Sequence, residues 1–203
     1  HQLMTEKLYE IALSQAPRIG DFYAKQLISY LGSAEEVLKT PKSKLLKVPG
    51  IGNKIAEGLA NKSLLTKAET IIEKCAKSNV DILHFTDPKY PSKLKEIDDS
   101  PSLLYSKGNL DLNFPKSIAI VGTREATSYG REITEQLISD IIALQDCTVV
   151  SGLAYGIDIT AHKHCLKTGV HTVGVMANGL DSVYPADHRG IAHKMIENGA
   201  LLS

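Results

Sequence analysis

The sequence predicts an α/β fold in which a parallel sheet domain follows a small all-α domain. Three observations predict it. Short apolar runs at residues 118–121, 148–150, 171–176 and 200–202 alternate with stretches of helical periodicity. The first three runs each lead into a loop containing glycine, at Gly122, Gly152 and Gly179. Residues 1–82 carry helical patterning without that alternation. Strands that alternate with helices of about 10–15 residues are joined by right-handed crossovers, and the sheet is then parallel. The expected domains are 1–82 and 83–203.

The helical part is weakly repetitive. Ala16-Pro17-Arg18-Ile19-Gly20 precedes an apolar face of Tyr23, Leu27, Ile28 and Leu31 that stops at Gly32. Thirty-two residues after Pro17, Val48-Pro49-Gly50-Ile51-Gly52 precedes Ile55, Ala56 and Leu59. This second copy resembles a helix-hairpin-helix, in which the amides of a Gly-x-Gly turn bind nucleic-acid phosphate without reading bases. Gly50, Gly52 and Lys54 are its candidate binding residues, with Lys47 adding charge; a purely structural hairpin is the other reading. The first copy has Arg18 where the first Gly belongs and is expected to pack against the second.

Residues 87–115 read as a polar connector punctuated by proline. Residues 118–121 then read as a fully buried strand that runs into Gly122-Thr123-Arg124. A helix follows from about Gly130, with Ile133, Leu137, Ile138, Ile141 and Ile142 on one face. A strand, a Gly turn and a helix start bind anions, because helix-start amides are unsatisfied and the peptide dipoles favour negative charge. Thr123 adds a hydroxyl, and Arg124, expected to be buried and therefore to need an anion, adds a guanidinium fork for two phosphate oxygens. A second such turn, Ser151-Gly152-Leu153-Ala154-Tyr155-Gly156-Ile157-Asp158, opens a helix running to about Thr168 and stopped by Gly169. A strand at 171–176, a helix at about 187–198 and a last strand from Ala200 complete the pattern. Ligands of such sheets bind at the carboxyl ends of the strands, where Gly122, Thr123, Arg124, Ser151, Gly152, Gly156 and Asp158 fall. Each glycine also has the plainer reading of a tight turn.

Composition narrows the classes. The 203 residues hold 23 basic and 23 acidic side chains, so no general positive field attracts nucleic acid. Residues 1–82 are net +3 and residues 117–203 net −3. Local loops must therefore do any binding. Cys75, Cys147 and Cys165 are unpatterned and read as reduced thiols, and no membrane-length apolar run occurs, so a cytoplasmic location is expected. His1-Gln2-Leu3 ahead of Met4 are expected to be an added leader. Gly122 is followed by Arg124, not by the second Gly of a dinucleotide fingerprint, and no GxxxxGK[ST] occurs. Neither nicotinamide chemistry nor P-loop hydrolysis is expected on those grounds.

These residues together resemble the DNA-processing protein A family (DprA, also called Smf). The strings that carry the resemblance are PGIG, DPKYPSKLKEIDDSPSLLYSKG, IAIVGTREATSYG, VVSGLAYGIDITAH, GLDSVYP and GALLS, in that order across nearly the whole chain. The resemblance implies a Rossmann-like domain from about His84, single-stranded DNA binding, and help in loading the RecA recombinase onto incoming, protected DNA during natural transformation. It implies that Arg124 contacts DNA phosphate. It also implies a sheet that continues beyond GALLS and a homodimer formed through that continuation, so the sequence is expected to be part of a longer chain. Asp187 stands where many relatives carry a basic or neutral residue, and is expected to weaken binding.

Other constellations carry less. Asp158 and His162, one helical turn apart, with His164 and Cys165, have metal-ligand spacing but lack a second ligand pair, so no metal is expected. His162 is expected to cap or orient the loop and Asp158 to hold local amides. Tyr129, Tyr155 and Tyr184 either stack on bases or pack in their loops with the hydroxyl in water. No catalytic arrangement and no cofactor are expected. The alternative reading is a nucleotide- or sugar-phosphate-binding enzyme of the lysine-decarboxylase-like phosphoribohydrolase type, whose PGGxGTxxE segment is absent from these 203 residues.

Overall fold

The computed structural model describes residues 2–183 and 185–203; His1, and with it the first residue of the expected leader, and Tyr184 lie outside the described residues. The chain divides into two compact units, His1–Leu104 and Tyr105–Ser203. No helix among the described residues is long and apolar enough to cross a membrane.

The first unit opens with the helices α1 (Gln2–Ser14), α2 (Gly20–Leu31), α3 (Ala34–Lys39), α4 (Lys42–Leu45), α5 (Asn53–Leu59) and α6 (Ser63–Lys77). Then come β1 (Asp81–His84), α7 (Ser92–Lys95) and the start of β2 (Leu103–Gly108). Ile11 and Leu13 of α1, Leu27 of α2, Val37 of α3, Ala56 of α5 and Leu64 of α6 meet in one buried core. Ser33 caps α3 by accepting the Glu36 N–H at 3.1 Å.

The two Pro-x-Ile-Gly copies brace each other. A Cβ on Gly50 would lie 2.7 Å from the Tyr23 ring, and one on Gly58 3.2 Å from Pro17. Each turn thus rests on the helix that follows the other turn. Gly50 takes φ 82°, and in the first copy Arg18 holds the same left-handed region at φ 64° without a glycine's freedom.

The unit boundary falls after residue 104, not after 82, because the stretch read as a connector is tied to the helices. Asp21 accepts both the N–H and the hydroxyl of Ser102 at 2.7 Å. Lys7 donates to Asp87 at 2.6 Å, Lys25 donates to Ser100 at 2.7 Å, and Tyr90, fully buried, donates to the Pro101 carbonyl at 2.6 Å.

In the second unit the strand order is β2-β6-β5-β4-β3. Its elements are β3 (Ser117–Ala119), α8 (Ser128–Leu144), β4 (Thr148–Ser151), α9 (Ile157–Thr168), β5 (Thr172–Val175), a 3-10 turn at Ala186–His188, α10 (Arg189–Asn198) and β6 (Ala200–Leu202). The strands β3, β4, β5 and β6 are parallel, with Ile118 beside Val149, Val150 beside Val173 and Gly174 beside Leu201. The carboxyl ends of β3, β4 and β5 therefore share one rim. Gly169 stops α9 in the left-handed conformation, φ 73°.

Three expectations are corrected. The sheet is mixed, because β2, in the supposed connector, pairs antiparallel with β6 (Ser106 beside Leu202). Residues 118–121 are not a fully buried strand: β3 is the edge of the sheet and pairs with β4, so Ile118 and Ile120 pack inward while Val121 is 76% exposed. The buried face of α8 is set by Thr134 and Ile138, and Ile133 and Leu137 point to solvent. Cys75, Cys147 and Cys165 are not in disulfides, and burial pushes Cys165 up to about 12.

A Cβ on Gly199 would lie 2.8 Å from the Met195 carbonyl and overlap the Thr172 carbonyl. Gly199→Ala is expected to destabilise the second unit by roughly 1–3 kcal/mol. Gly52→Ala, with open space around the new methyl, is expected to stay within about 0.5–1 kcal/mol. Urea unfolding of both variants checks the contrast.

Candidate phosphate-binding site

At the rim of β3 and β4 the sequence folds into two turns that lean on each other. The strand ladder extends past β3 by one bond, from the Ile120 N–H to the Val150 carbonyl at 2.9 Å, and the chain then leaves the sheet at Val121. Thr123 Oγ1 accepts the Glu125 N–H at 3.1 Å and closes a tight turn around Arg124. The Thr123 carbonyl accepts the Ile157 N–H at 3.1 Å, the first amide of α9. Among the described residues no acceptor takes the N–H of Thr123 or Arg124, and no carboxylate pairs with the exposed Arg124 guanidinium.

The glycines have separate steric reasons. A Cβ on Gly122 would lie 2.6 Å from the Ile157 side chain. Gly156 adopts φ 80° and sits against the Thr123 and Arg124 carbonyls, the latter 2.6 Å from where a Cβ would be. A Cβ on Gly152 would lie 2.7 Å from an Asp158 oxygen.

The second turn is partly satisfied from within. Ser151 donates its hydroxyl to the Ile120 carbonyl at 2.6 Å. The Gly152 N–H donates to Asp158 Oδ2 at 3.1 Å, so a buried carboxylate occupies the anion-favouring start of α9. Thr160 donates to the Gly156 carbonyl at 2.8 Å. The start of α8 is likewise closed, since Thr127 Oγ1 accepts the Gly130 N–H at 3.1 Å. The helix-start amides expected to meet an anion are therefore partly spent. What faces solvent is the first turn, with the Thr123 and Arg124 amides and the Arg124 guanidinium. Arg124 is exposed, not buried as expected.

The structure brings together seven of the expected residues: Gly122, Thr123, Arg124, Ser151, Gly152, Gly156 and Asp158. Gly50, Gly52 and Lys54 are exposed in the first unit. Tyr129 and Tyr155 flank the second unit's turns; Tyr155 donates to Asp187 at 3.1 Å and stacks edge-on against His188 at 4.9 Å. The expectation for Tyr184 lies outside the described residues. His162 faces Leu153 and Thr172, while His164 approaches Ser139 at 2.8 Å, so the two do not converge. Among the described residues no three His, Cys, Asp or Glu side chains gather as metal ligands. His188, whose Nδ1 lies 2.7 Å from the Leu153 carbonyl, was not singled out in the sequence, and no spacing marked it.

Residues 81–203 match the family described as DNA recombination-mediator protein A, and residues 10–62 match a SAM-like helix-hairpin-helix tandem. The chain is 32% identical over 203 residues to Protein Smf of Synechocystis sp., covering 98% of this chain and 51% of that protein. The structure of DNA processing protein A from Streptococcus pneumoniae is similar with a TM-score of 0.67 at 27% identity, covering 97% of this chain and 66% of that one. A structure of DNA processing protein A from Helicobacter pylori, described for its unique single-stranded DNA binding mode, has a TM-score of 0.52 at 29% identity over 61% of this chain and 54% of that one. The chain spans about half the length of the curated relatives it matches.

The seat of Gly156 generates a prediction. Gly156→Ala adds a methyl against two carbonyls at a left-handed φ, and is expected to cost roughly 1–3 kcal/mol. Amide hydrogen exchange at Ile157 should accelerate more than at Val149 in mid-sheet. Equal acceleration at both positions would show that the two turns are not a separate locking unit.

Proposed function

The chain belongs to the DNA recombination-mediator protein A family, and from that premise we propose that its sheet unit grips the phosphate backbone of single-stranded DNA. One observation carries the reading. An exposed arginine and two amides with no acceptor among the described residues share one turn at the carboxyl rim of the sheet's parallel strands. That set suits a phosphate oxygen pair: the guanidinium forks it and the amides add dipoles. The single-stranded DNA binding named for the Helicobacter pylori relative supports the same ligand. In this proposal Gly122, Thr123 and Arg124 contact phosphate, and Ser151, Gly152, Gly156 and Asp158 shape the turn. The wider role is DNA processing in natural transformation, with protection of incoming strands and loading of a recombinase of the RecA type in the cytoplasm.

The helical unit, residues 1–82 in functional terms, is proposed as a second, sequence-independent contact through Gly50, Gly52 and Lys54. The tandem helix-hairpin-helix match over residues 10–62 supports it. Gly52→Ala is unsuited to test this, whereas Lys54→Glu places a repelling charge at the turn without touching the core. The proposed activity is binding without chemistry: Asp158 and His162, the groups closest to a catalytic pair, are both occupied by loop amides. A mononucleotide-binding enzyme is the competing reading, and titration with mononucleotides alongside oligonucleotides separates the two.

A charge-assisted bond of this kind is worth roughly 1.5–3 kcal/mol. Arg124→Ala is therefore expected to weaken single-stranded DNA binding by about 10- to 150-fold. Because the contact is to backbone, the loss should be alike for all base sequences, and the slope of log affinity against log salt should shrink by nearly one phosphate's share. Arg124→Lys should recover part, keeping the charge and losing the fork. Fluorescence anisotropy across a salt series measures all three. A folded Arg124→Ala protein with unchanged affinity and salt slope would move the DNA site elsewhere.

A further inference from the structure

Leu153, at the centre of the second turn, is a non-glycine residue held in the left-handed region at φ 60°, and it is fully buried. Its side chain plugs against Gly174 of β5. Both of its backbone polar groups end on imidazoles from other elements. The Leu153 N–H donates to His162 Nε2 on α9 at 3.3 Å, and the Leu153 carbonyl lies 2.7 Å from His188 Nδ1 in the 3-10 turn.

The hydrogen-bond partners favour one proton placement on each ring. Thr172 Oγ1 donates its one hydrogen to the Val149 carbonyl at 3.0 Å, so toward His162 Nδ1, 2.7 Å away, it can only accept. His162 is therefore the neutral Nδ1–H form, with the Nε2 lone pair facing the Leu153 amide. His188 must carry hydrogen on Nδ1 to meet a carbonyl. A proton added at His162 Nε2 would face the Leu153 N–H in a dry interior, a cost that the Ser151 backbone beside the ring offsets only in part.

We infer that His162 and His188 form a clamp on Leu153 that holds the second turn against Thr123 and Arg124, and that the clamp releases when His162 takes up a proton. They are positioning residues for the phosphate site, and the inference rests on the proposed reading of that site. The path of action is short. Three residues after Leu153, Gly156 presses on the Thr123 and Arg124 carbonyls, and the Ile157 N–H holds the Thr123 carbonyl. A second turn free to move withdraws the support from under Arg124.

The surroundings of His162 are nearly free of other charge. Strands β4 (Thr148–Ser151) and β5 (Thr172–Val175) contribute no ionisable side chain. From the 3-10 turn His188 faces it; on α9 itself Asp158 is turned to Gly152, and Cys165 keeps its proton. Glu135 of α8 lies near His164, 3.9 Å away, and the ionisable side chains of α10 are exposed. Burial, then His188, lower the His162 imidazole from 6.5 to about 4. Between those values the folded chain binds fewer protons than the unfolded chain. The clamp's contribution is thus complete above about 6.5 and lost as the pH falls toward 4.

The test uses the whole 203-residue chain. Long-range proton–nitrogen NMR near neutral pH should show His162 neutral and protonated at Nδ1, and His188 carrying a hydrogen on Nδ1. In His162→Leu the Leu153 amide should exchange at least about tenfold faster, with Val149 unchanged. Affinity for a short oligothymidylate should fall about 3- to 10-fold, and Arg124→Ala should cost less in that background than in the wild type. His162→Gln, whose side-chain carbonyl can accept the same amide, should restore part of the protection and affinity. An Nε2–H form of His162 overturns the inference. So does a freed Leu153 amide that leaves affinity and the Arg124 effect untouched. If His162→Leu does not fold, acidifying the wild type decides: Leu153 protection should disappear before that of Val149, and simultaneous loss refutes the clamp. Intact tautomers and Leu153 protection in a protein that does not bind oligothymidylate would sink the DNA reading and leave the clamp standing.

Discussion

The hydrogen bond from the Ile157 N–H to the Thr123 carbonyl is the constraint on which the site depends. The strand that delivers Arg124 is an edge strand, paired with β4, and leaves the ladder after residue 120. Nothing in the sheet itself fixes the following four residues. Their position comes from the strand, loop and helix next door. Ser151 holds the Ile120 carbonyl, Ile157 fills the space beside Gly122, and Gly156 lies under the Thr123 and Arg124 carbonyls. Each contact needs its own residue type: a hydroxyl short enough to reach, a glycine where a methyl would strike a side chain, and a glycine that also accepts a positive φ.

This arrangement sorts two similar turns into different roles. Both follow parallel strands and both precede helices, so both qualify as anion sites on backbone grounds. The second turn contains its own anion, since Asp158 is buried at the start of α9 and holds the Gly152 amide. A phosphate placed there would meet a carboxylate with nowhere to go. The first turn holds no buried carboxylate: its two charged side chains, Arg124 and Glu125, are both exposed, and among the described residues no carboxylate pairs with Arg124.

Much of this was legible in the sequence, and the gaps have physical causes. The stops of α2 at Gly32 and α9 at Gly169 were readable because a left-handed residue after a helix favours glycine. The parallel order of β3 to β6 followed from alternation of strands and helices. Strand β2 was hidden because Leu103-Leu104-Tyr105-Ser106-Lys107-Gly108 mixes polar and apolar residues and lies between Pro101 and Pro115. The edge position of β3 was hidden because pairing partners are set by long-range order, and an apolar run of four residues looks alike at an edge or a centre. On α8 the periodicity identified the apolar residues but not which arc meets the sheet. Ile133 and Leu137 have the right spacing, yet Thr134 and Ile138 face inward.

The Asp158 and His162 pair shows the same limit within the site. Two ligand-type residues one helical turn apart suggest a metal, and spacing alone says no more than that. In the folded chain that spacing aligns two acceptors along one side of α9 with two successive amides of the loop, Asp158 with Gly152 and His162 with Leu153. The choice of a carboxylate and an imidazole has consequences for charge. A carboxylate at a helix start is stabilised by the dipole there and suits the first position. At the second, deeper position a carboxylate would bury a second negative charge beside the first, whereas a neutral imidazole accepts the amide without one. That choice makes the deeper rung sensitive to protons, because the same ring nitrogen that accepts the Leu153 amide is the one that would take up a proton.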